Sequence, residues 1–232
     1  MNAIQNSISE KQMIWDWPIR VFHWLLVLCF VGAWLTAESE RWRLAHVTLG
    51  YTMCGLVVFR LLWGFIGTRH ARFTSFVRGP AAVLSYGRSL LKLRPQHYAG
   101  HNPVGALVII VFLALIAVTA ATGHLTYNNA TGDWAEELHE AIAGVMLGFV
   151  ILHVVGVTVS SFLHRENLIG GMITGRKSAA PGAAIRWSFS WLAAVVLATV
   201  LGFWWMQWQA APQTRTAGSK PLVIQEGYVK EH

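Results

Sequence analysis

Long apolar stretches alternate with short polar ones along the whole chain. Five stretches are long and apolar enough to cross a bilayer, which takes about 20 residues. They are roughly 18–36, 44–66, 103–123, 138–161 and 187–208. Their apolar residues run round every side, as in helices surrounded by lipid or by a large core. No alternation of period two competes with them, so strands are not expected. Pro18 and Pro103 suit the first turns of the first and third helices, where the missing N–H is not needed. Trp15, Trp17, Trp42, Trp63, Tyr127, Trp134, Trp187 and the run Trp204 to Trp208 gather near span ends, like an interfacial aromatic belt. The pattern predicts an all-α integral membrane protein with five spans, preceded by a segment 1–17 and followed by a tail 209–232. There is no internal repeat and no low-complexity segment.

The polar connections differ in charge, and this sets an orientation. The connection 67–102 carries Arg69, Arg72, Arg78, Arg88, Lys92 and Arg94 and no acidic residue. The connection 162–186 carries Arg165, Arg176, Lys177 and Arg186 against Glu166 alone. The connection 124–137 has Asp133, Glu136 and Glu137 and no Lys or Arg, and the short loop 37–43 is mixed. Positive charge marks the cytoplasmic side. The N-terminus and both basic loops are therefore expected inside a bacterial cytoplasmic (inner) membrane, with the tail from Gln209 in the periplasm. Residues 81–93 set Ala82, Val83, Tyr86, Leu90 and Leu93 against Arg88, Ser89 and Lys92, which predicts a short helix lying on the inner surface. An ordinary loop is the alternative.

Composition agrees with a membrane protein: 54% of the 232 residues are hydrophobic and only 12% charged, so a soluble fold is disfavoured. The net charge of +7 flanks apolar spans, so it is read as topology and not as a nucleic-acid surface. Cys29 and Cys54 fall inside spans and suit packing. No Cys-x-x-Cys-His occurs, so nothing argues for covalently attached haem. Met1 to Lys11 is polar and the first span starts only after Trp17-Pro18, so that span is expected to be retained and not cleaved as a signal.

Candidate chemistry lies in the histidines. His139 and His153 stand fourteen residues apart on one apolar run, close to four helical turns, so they share a face about 21 Å apart. Under the expected orientation His46 and His139 lie at the outer side, and His23 and His153 at the inner side. A lone histidine in a span is more often a hydrogen-bonded packing residue than a ligand. Two facing at one depth across a bundle suit bis-histidine ligation of haem iron. A zinc or proton pathway would recruit carboxylates inside the spans, and the apolar cores have none. Gly50, one turn after His46, and Gly156, three residues after His153, can leave room for a porphyrin edge. Close helix packing is the alternative, for which Gly144-x-x-x-Gly148 is an equal match. Arg20 and Arg60 near the inner layer, and Arg43 near the outer, can pair with haem propionates or simply snorkel. His101 and Asn102 are candidates for a quinone site; helix capping by Asn102 is the alternative. His70, His97, His124, His164 and His232 are assigned no ligand role.

The run Trp15-Asp16-Trp17-Pro18-Ile19-Arg20-Val21-Phe22-His23-Trp24 resembles the opening of the bacterial cytochrome b561 family, which is related to the cytochrome b subunits of nickel–iron hydrogenases. Arg60 to Gly67, Gly100 to Gly105, and His164-Arg165-Glu166-Asn167-Leu168 with Met172 and Thr174 to Lys177 resemble it too. The likeness covers about 13–177 and implies a four-helix bundle over 18–177, followed by a connector with a fifth C-terminal span at 178–208. It implies two haem b groups with His23, His46, His139 and His153 as axial ligands, in the pairs His46/His139 and His23/His153. It also implies respiratory electron transport with membrane quinone as the exchangeable substrate. The short connection between the first two helices looks like the free-standing branch, whose partners are periplasmic redox proteins such as a c-type cytochrome. An oxidoreductase passing electrons from superoxide to quinone, and a haem-bearing anchor subunit of a larger enzyme such as a hydrogenase, are the alternatives. A homodimer is a further expectation left open, as is the role of the fifth span.

Overall fold

A computed structural model describes residues 11–92, 96 and 98–211. It is helical almost throughout, with five helices long and apolar enough to cross a membrane. These are α1 (Trp17–Thr36), α2 (Arg43–Ile66), α5 (Pro103–Tyr127), α6 (Asp133–His164) and α8 (Ser190–Ala210). Shorter helices fill the connections: α3 (Phe73–Phe76), α4 (Pro80–Leu91) and α7 (Leu168–Thr174). Helix α4 realises the amphipathic stretch expected at 81–93; Leu93 lies outside the described residues. The same holds for Met1 to residue 10 and, apart from its first three residues, for the tail from Gln209.

Four helix ends differ from the sequence expectation. Helix α6 starts at Asp133, well before 138. Asp133 and Glu136, read as loop, occupy its first turn, where negative charge offsets the positive end of the helix dipole. It also runs past 161 to His164, and Arg165 closes it in the left-handed conformation. Helix α5 continues to Tyr127. Helix α8 starts at Ser190, three positions after 187, because Phe189 adopts a left-handed backbone (φ 50°) that breaks the approach.

A two-stranded ribbon was not expected. Strand β1 (Lys11–Met13) pairs antiparallel with β2 (Arg176–Ser178), Gln12 opposite Lys177. Three residues are too few to show a period. The ribbon is continued by Ile14 and Trp15, whose N–H groups both donate to the Gly175 carbonyl at 2.9 and 3.0 Å. Gly175 has φ 79°, so only glycine takes this position without strain. The ribbon ties the entry of α1 to the exit of α7.

Helix α1 packs against α2 and α8, α2 against α5, and α5 against α6. Helix α6 makes its main packing contact with α5. The apolar core joins Phe22, Met53, Leu56, Ile116 and Met146. Helix α8 adds Val200 and donates from the Trp204 indole to the Thr52 hydroxyl at 2.9 Å.

One end of the bundle carries the basic connections and is fixed by Asp16, which is 1% exposed. Its Oδ1 accepts from Ile19 N at 2.8 Å, capping α1. Its Oδ2 accepts from the Trp63 indole at 3.1 Å and the Thr68 hydroxyl at 2.6 Å. A residue that reads as loop thus locks α1 to the end of α2.

Candidate functional site

His46 lies in the first turn of α2 and His139 in the second turn of α6. Their ring centroids are 6.1 Å apart, with planes at 69°. His46 Nδ1 lies 2.9 Å from the Ala33 carbonyl on α1. His139 Nδ1 lies 2.9 Å from the Thr119 carbonyl on α5. A carbonyl only accepts, so each Nδ1 carries the hydrogen and each Nε2 of a neutral ring keeps its lone pair. This backbone support fixes ring direction as it does for metal-bound histidines generally.

The pair fits a shared iron. Metal–imidazole bonds are about 2.0–2.1 Å, and a ring nitrogen sits about 1.1 Å from its centroid, so two rings on one metal place their centroids roughly 6.2 Å apart. Two imidazoles do not complete a metal's coordination; among the described residues no three His, Cys, Asp or Glu converge. A haem supplies the four equatorial nitrogens and needs only these two axial ones.

The glycines beside the histidines are open. A Cβ at Gly50 or at Gly156 would meet nothing within 4 Å. The same holds for Gly144 and Gly148, so this small-residue motif does not serve close helix packing among the described residues. Gly123 is the opposite case and went unnoticed in the sequence. A Cβ there would lie 2.9 Å from Cε1 and Nδ1 of His139. Glycine lets α5 lie against that ring and brings Thr119, one turn earlier, to its Nδ1. The spacing Thr119-x-x-x-Gly123 on the helix beside His139 is the only signal that could have shown it. Gly123→Val is expected to push the His139 ring from its carbonyl and remove one haem while the helical circular dichroism stays. Optical spectra of the purified variant check this.

His23 and His153 lie toward the basic end. His153 stands within electrostatic range of His23 and edge-on to Phe112, with centroids 5.8 Å apart. His23 packs edge-on to Trp24 at 5.1 Å, and its Nδ1 is buried without a partner. The carbonyl support seen for His46 and His139 has no counterpart at this nitrogen.

The cationic candidates separate. Arg20 lies over the Trp17 ring at 3.9 Å and donates from Nη2 to the Ile173 carbonyl, which ties α1 to α7. Arg43 lies over Tyr127 at 5.8 Å, with Glu40 at 3.7 Å. Arg60 is 2% exposed, faces Phe73 and Phe76, and has both terminal nitrogens unpartnered.

Of the two quinone-site candidates, Asn102 commits its side-chain oxygen to the Gly105 N–H at 2.7 Å, capping α5. His101 lies between the tilted rings of Trp15 (4.4 Å between centroids) and Phe76 (4.7 Å). Burial, then the charges of Arg60 and Lys177, push its pKa down to about 3, so it is neutral. His70 meets the Ala183 carbonyl at 2.7 Å and His124 meets Tyr51 Oη at 2.8 Å. His164 Nδ1 lies 3.2 Å from the Ser160 carbonyl. His97 and His232 lie outside the described residues.

Known proteins are similar to this chain in sequence. A probable Ni/Fe-hydrogenase B-type cytochrome subunit of Azotobacter vinelandii is 26% identical over 209 residues, spanning 70% of this chain and 86% of that protein. Its counterpart in Rhizobium leguminosarum bv. viciae is 22% identical, over 75% of this chain and 92% of its own. The probable Ni/Fe-hydrogenase 1 B-type cytochrome subunit of Escherichia coli K12 is 22% identical, over 71% and 90%. No solved structure matches the chain significantly. The family model for prokaryotic cytochrome b561 matches residues 14–175, from just after β1 to the residue that closes α7. With five apolar helices and paired intramembrane histidines inside or beside that match, the chain belongs to the prokaryotic cytochrome b561 family of multi-pass membrane b-type cytochromes.

Proposed function

We propose that the chain is a di-haem cytochrome carrying electrons across the cytoplasmic membrane between the quinone pool and a periplasmic redox partner such as a c-type cytochrome. The observation that carries this reading is the His46–His139 pair, two supported rings at iron-sharing distance. His23 and His153 form the second ligand pair. The fourteen residues between His139 and His153 hold the two levels about 21 Å apart, enough to divide the span of a bilayer. Bound haem supplies the one-electron chemistry. The chain's own work is to fix ring direction through the Ala33 and Thr119 carbonyls, to leave Gly50 and Gly156 bare, and to present buried cations at the basic end. That end faces the cytoplasm by the charge rule.

The alignment to the Azotobacter relative is 209 positions long but uses only 70% of this chain's 232 residues, so that relative carries insertions within the matched region. The shorter matched region favours a free-standing cytochrome with a periplasmic redox partner. The relatives' names favour a second reading, a haem-bearing anchor subunit of a larger oxidoreductase.

Stopped-flow mixing of the oxidised protein with a short-chain quinol is expected to reduce haem, with the absorbance of both haems developing. Absence of any reduction in lipid-supplemented detergent, together with co-purification of a hydrogenase-like complex, would favour the anchor reading.

A further inference from the structure

The motif Gly100-His101-Asn102-Pro103 leaves His101 without a role once Asn102 is a helix cap. Its Nδ1 is buried and unpartnered. Arg60, on α2, is in the same condition with Nη1 and Nη2. The two belong to one cage: Phe76 lies against the Arg60 guanidinium at 5.7 Å and against the His101 ring at 4.7 Å. Trp15 closes the far side of His101, and Phe73 lies 4.8 Å from the Arg60 guanidinium.

A buried guanidinium whose N–H donors are unpartnered is unfavourable, and a hydrogen-bonding anion relieves it. Asp16 lies within electrostatic range of Arg60 and offsets part of its charge, but its oxygens accept from Ile19, Trp63 and Thr68 and not from the guanidinium. The only salt bridge among the described residues is Arg43 with Glu40, at the other end. The free groups are two parallel guanidinium N–H donors and one neutral imidazole nitrogen. That set suits a planar carboxylate, held bidentately by arginine and once by histidine. His23, the expected ligand at this end, is within electrostatic range of His101.

We propose that Arg60 and His101 together hold one propionate carboxylate of the haem ligated at the basic end by His23 and His153. The proposal rests on the two-haem reading. Arg60 supplies the charge and the fork. His101 supplies a hydrogen bond without adding charge, which burial between Trp15 and Phe76 secures. His101 is then a cofactor-positioning residue and not a quinone ligand.

Two measurements on the purified holoprotein test it. One is a spectroelectrochemical titration of both haems. The other is a reduced-minus-oxidised infrared difference spectrum of protein whose haem carries ¹³C at the propionate carboxyls. Haem reduction adds one negative charge, which a nearby cation favours. Arg60→Gln is expected to lower the potential of the component that His153→Ala removes by at least a tenfold change in its reduction equilibrium, 59 mV for one electron. The other component is expected to stay. The labelled carboxylate band is expected to shift in Arg60→Gln and also in His101→Phe, which fills the cage and keeps the protein's charge. Should Arg60→Gln lose haem at the basic end, His101→Phe alone decides, through the band. An unmoved labelled band in a variant that keeps both haems overturns the proposal. A fall in potential with an unmoved band does so too, because the anion is then something other than propionate. A wild-type protein with one haem overturns the two-haem reading itself.

Discussion

His46→Ala and His139→Ala are each expected to remove one haem, and the same one. In either purified variant the haem-to-protein ratio should fall from two to one, and the surviving optical component should be identical. The expectation follows from the facing rings, whose Nδ1 atoms are both turned to carbonyls so that Nε2 remains for iron. Losing one imidazole would remove one of the two side chains that would hold the haem at this level and weaken its binding. His23→Ala and His153→Ala should remove the other component. If His46→Ala and His153→Ala instead removed the same component, the pairing would be wrong.

The second large effect needs no change to any ligand. One alanine inserted between Met146 and Leu147 divides α6 midway between His139 and His153. It rotates one half against the other by about 100° and lengthens the helix by about 1.5 Å. Both rings cannot then keep their directions. The His139 end is held by the Thr119 carbonyl and by the close approach of Gly123. The basic end of α6 continues into α7 and the β1–β2 ribbon. At least one haem should be lost, seen as a halved pyridine haemochrome yield. The same insertion in α8, between Leu201 and Gly202, should leave both haems, because α8 carries none of the four histidines. Retention of two haems after the α6 insertion would mean that α6 does not carry a ligand at each end.

Much of this arrangement is visible in the sequence. The five apolar runs give the spanning helices directly, because in lipid the backbone has no other way to satisfy itself. Loop charge sorts the histidines by depth, and depth brings His46 to His139, the two rings that the fold sets 6.1 Å apart. What carries no signal is what depends on backbone. The Ala33 and Thr119 carbonyls could belong to any residue type. Gly123 is one small residue among many until His139 is placed against it. Asp16 reads as a loop residue before a helix, and only the fold brings Trp63 and Thr68 to its second oxygen. The acidic residues Asp133 and Glu136 read as loop because charge was counted before the helix dipole. The capping role of Asn102 was legible from the Asn-Pro pair and its spacing to Gly105. The isolation of His101 between Trp15 and Phe76 was not, since those rings arrive from two distant connections.

The central claim is that this single chain holds two b-type haems between its histidine pairs. A pyridine haemochrome determination against quantitative amino-acid analysis of the purified protein tests it most directly. Two haems b per chain is the predicted result; one or none would contradict the account.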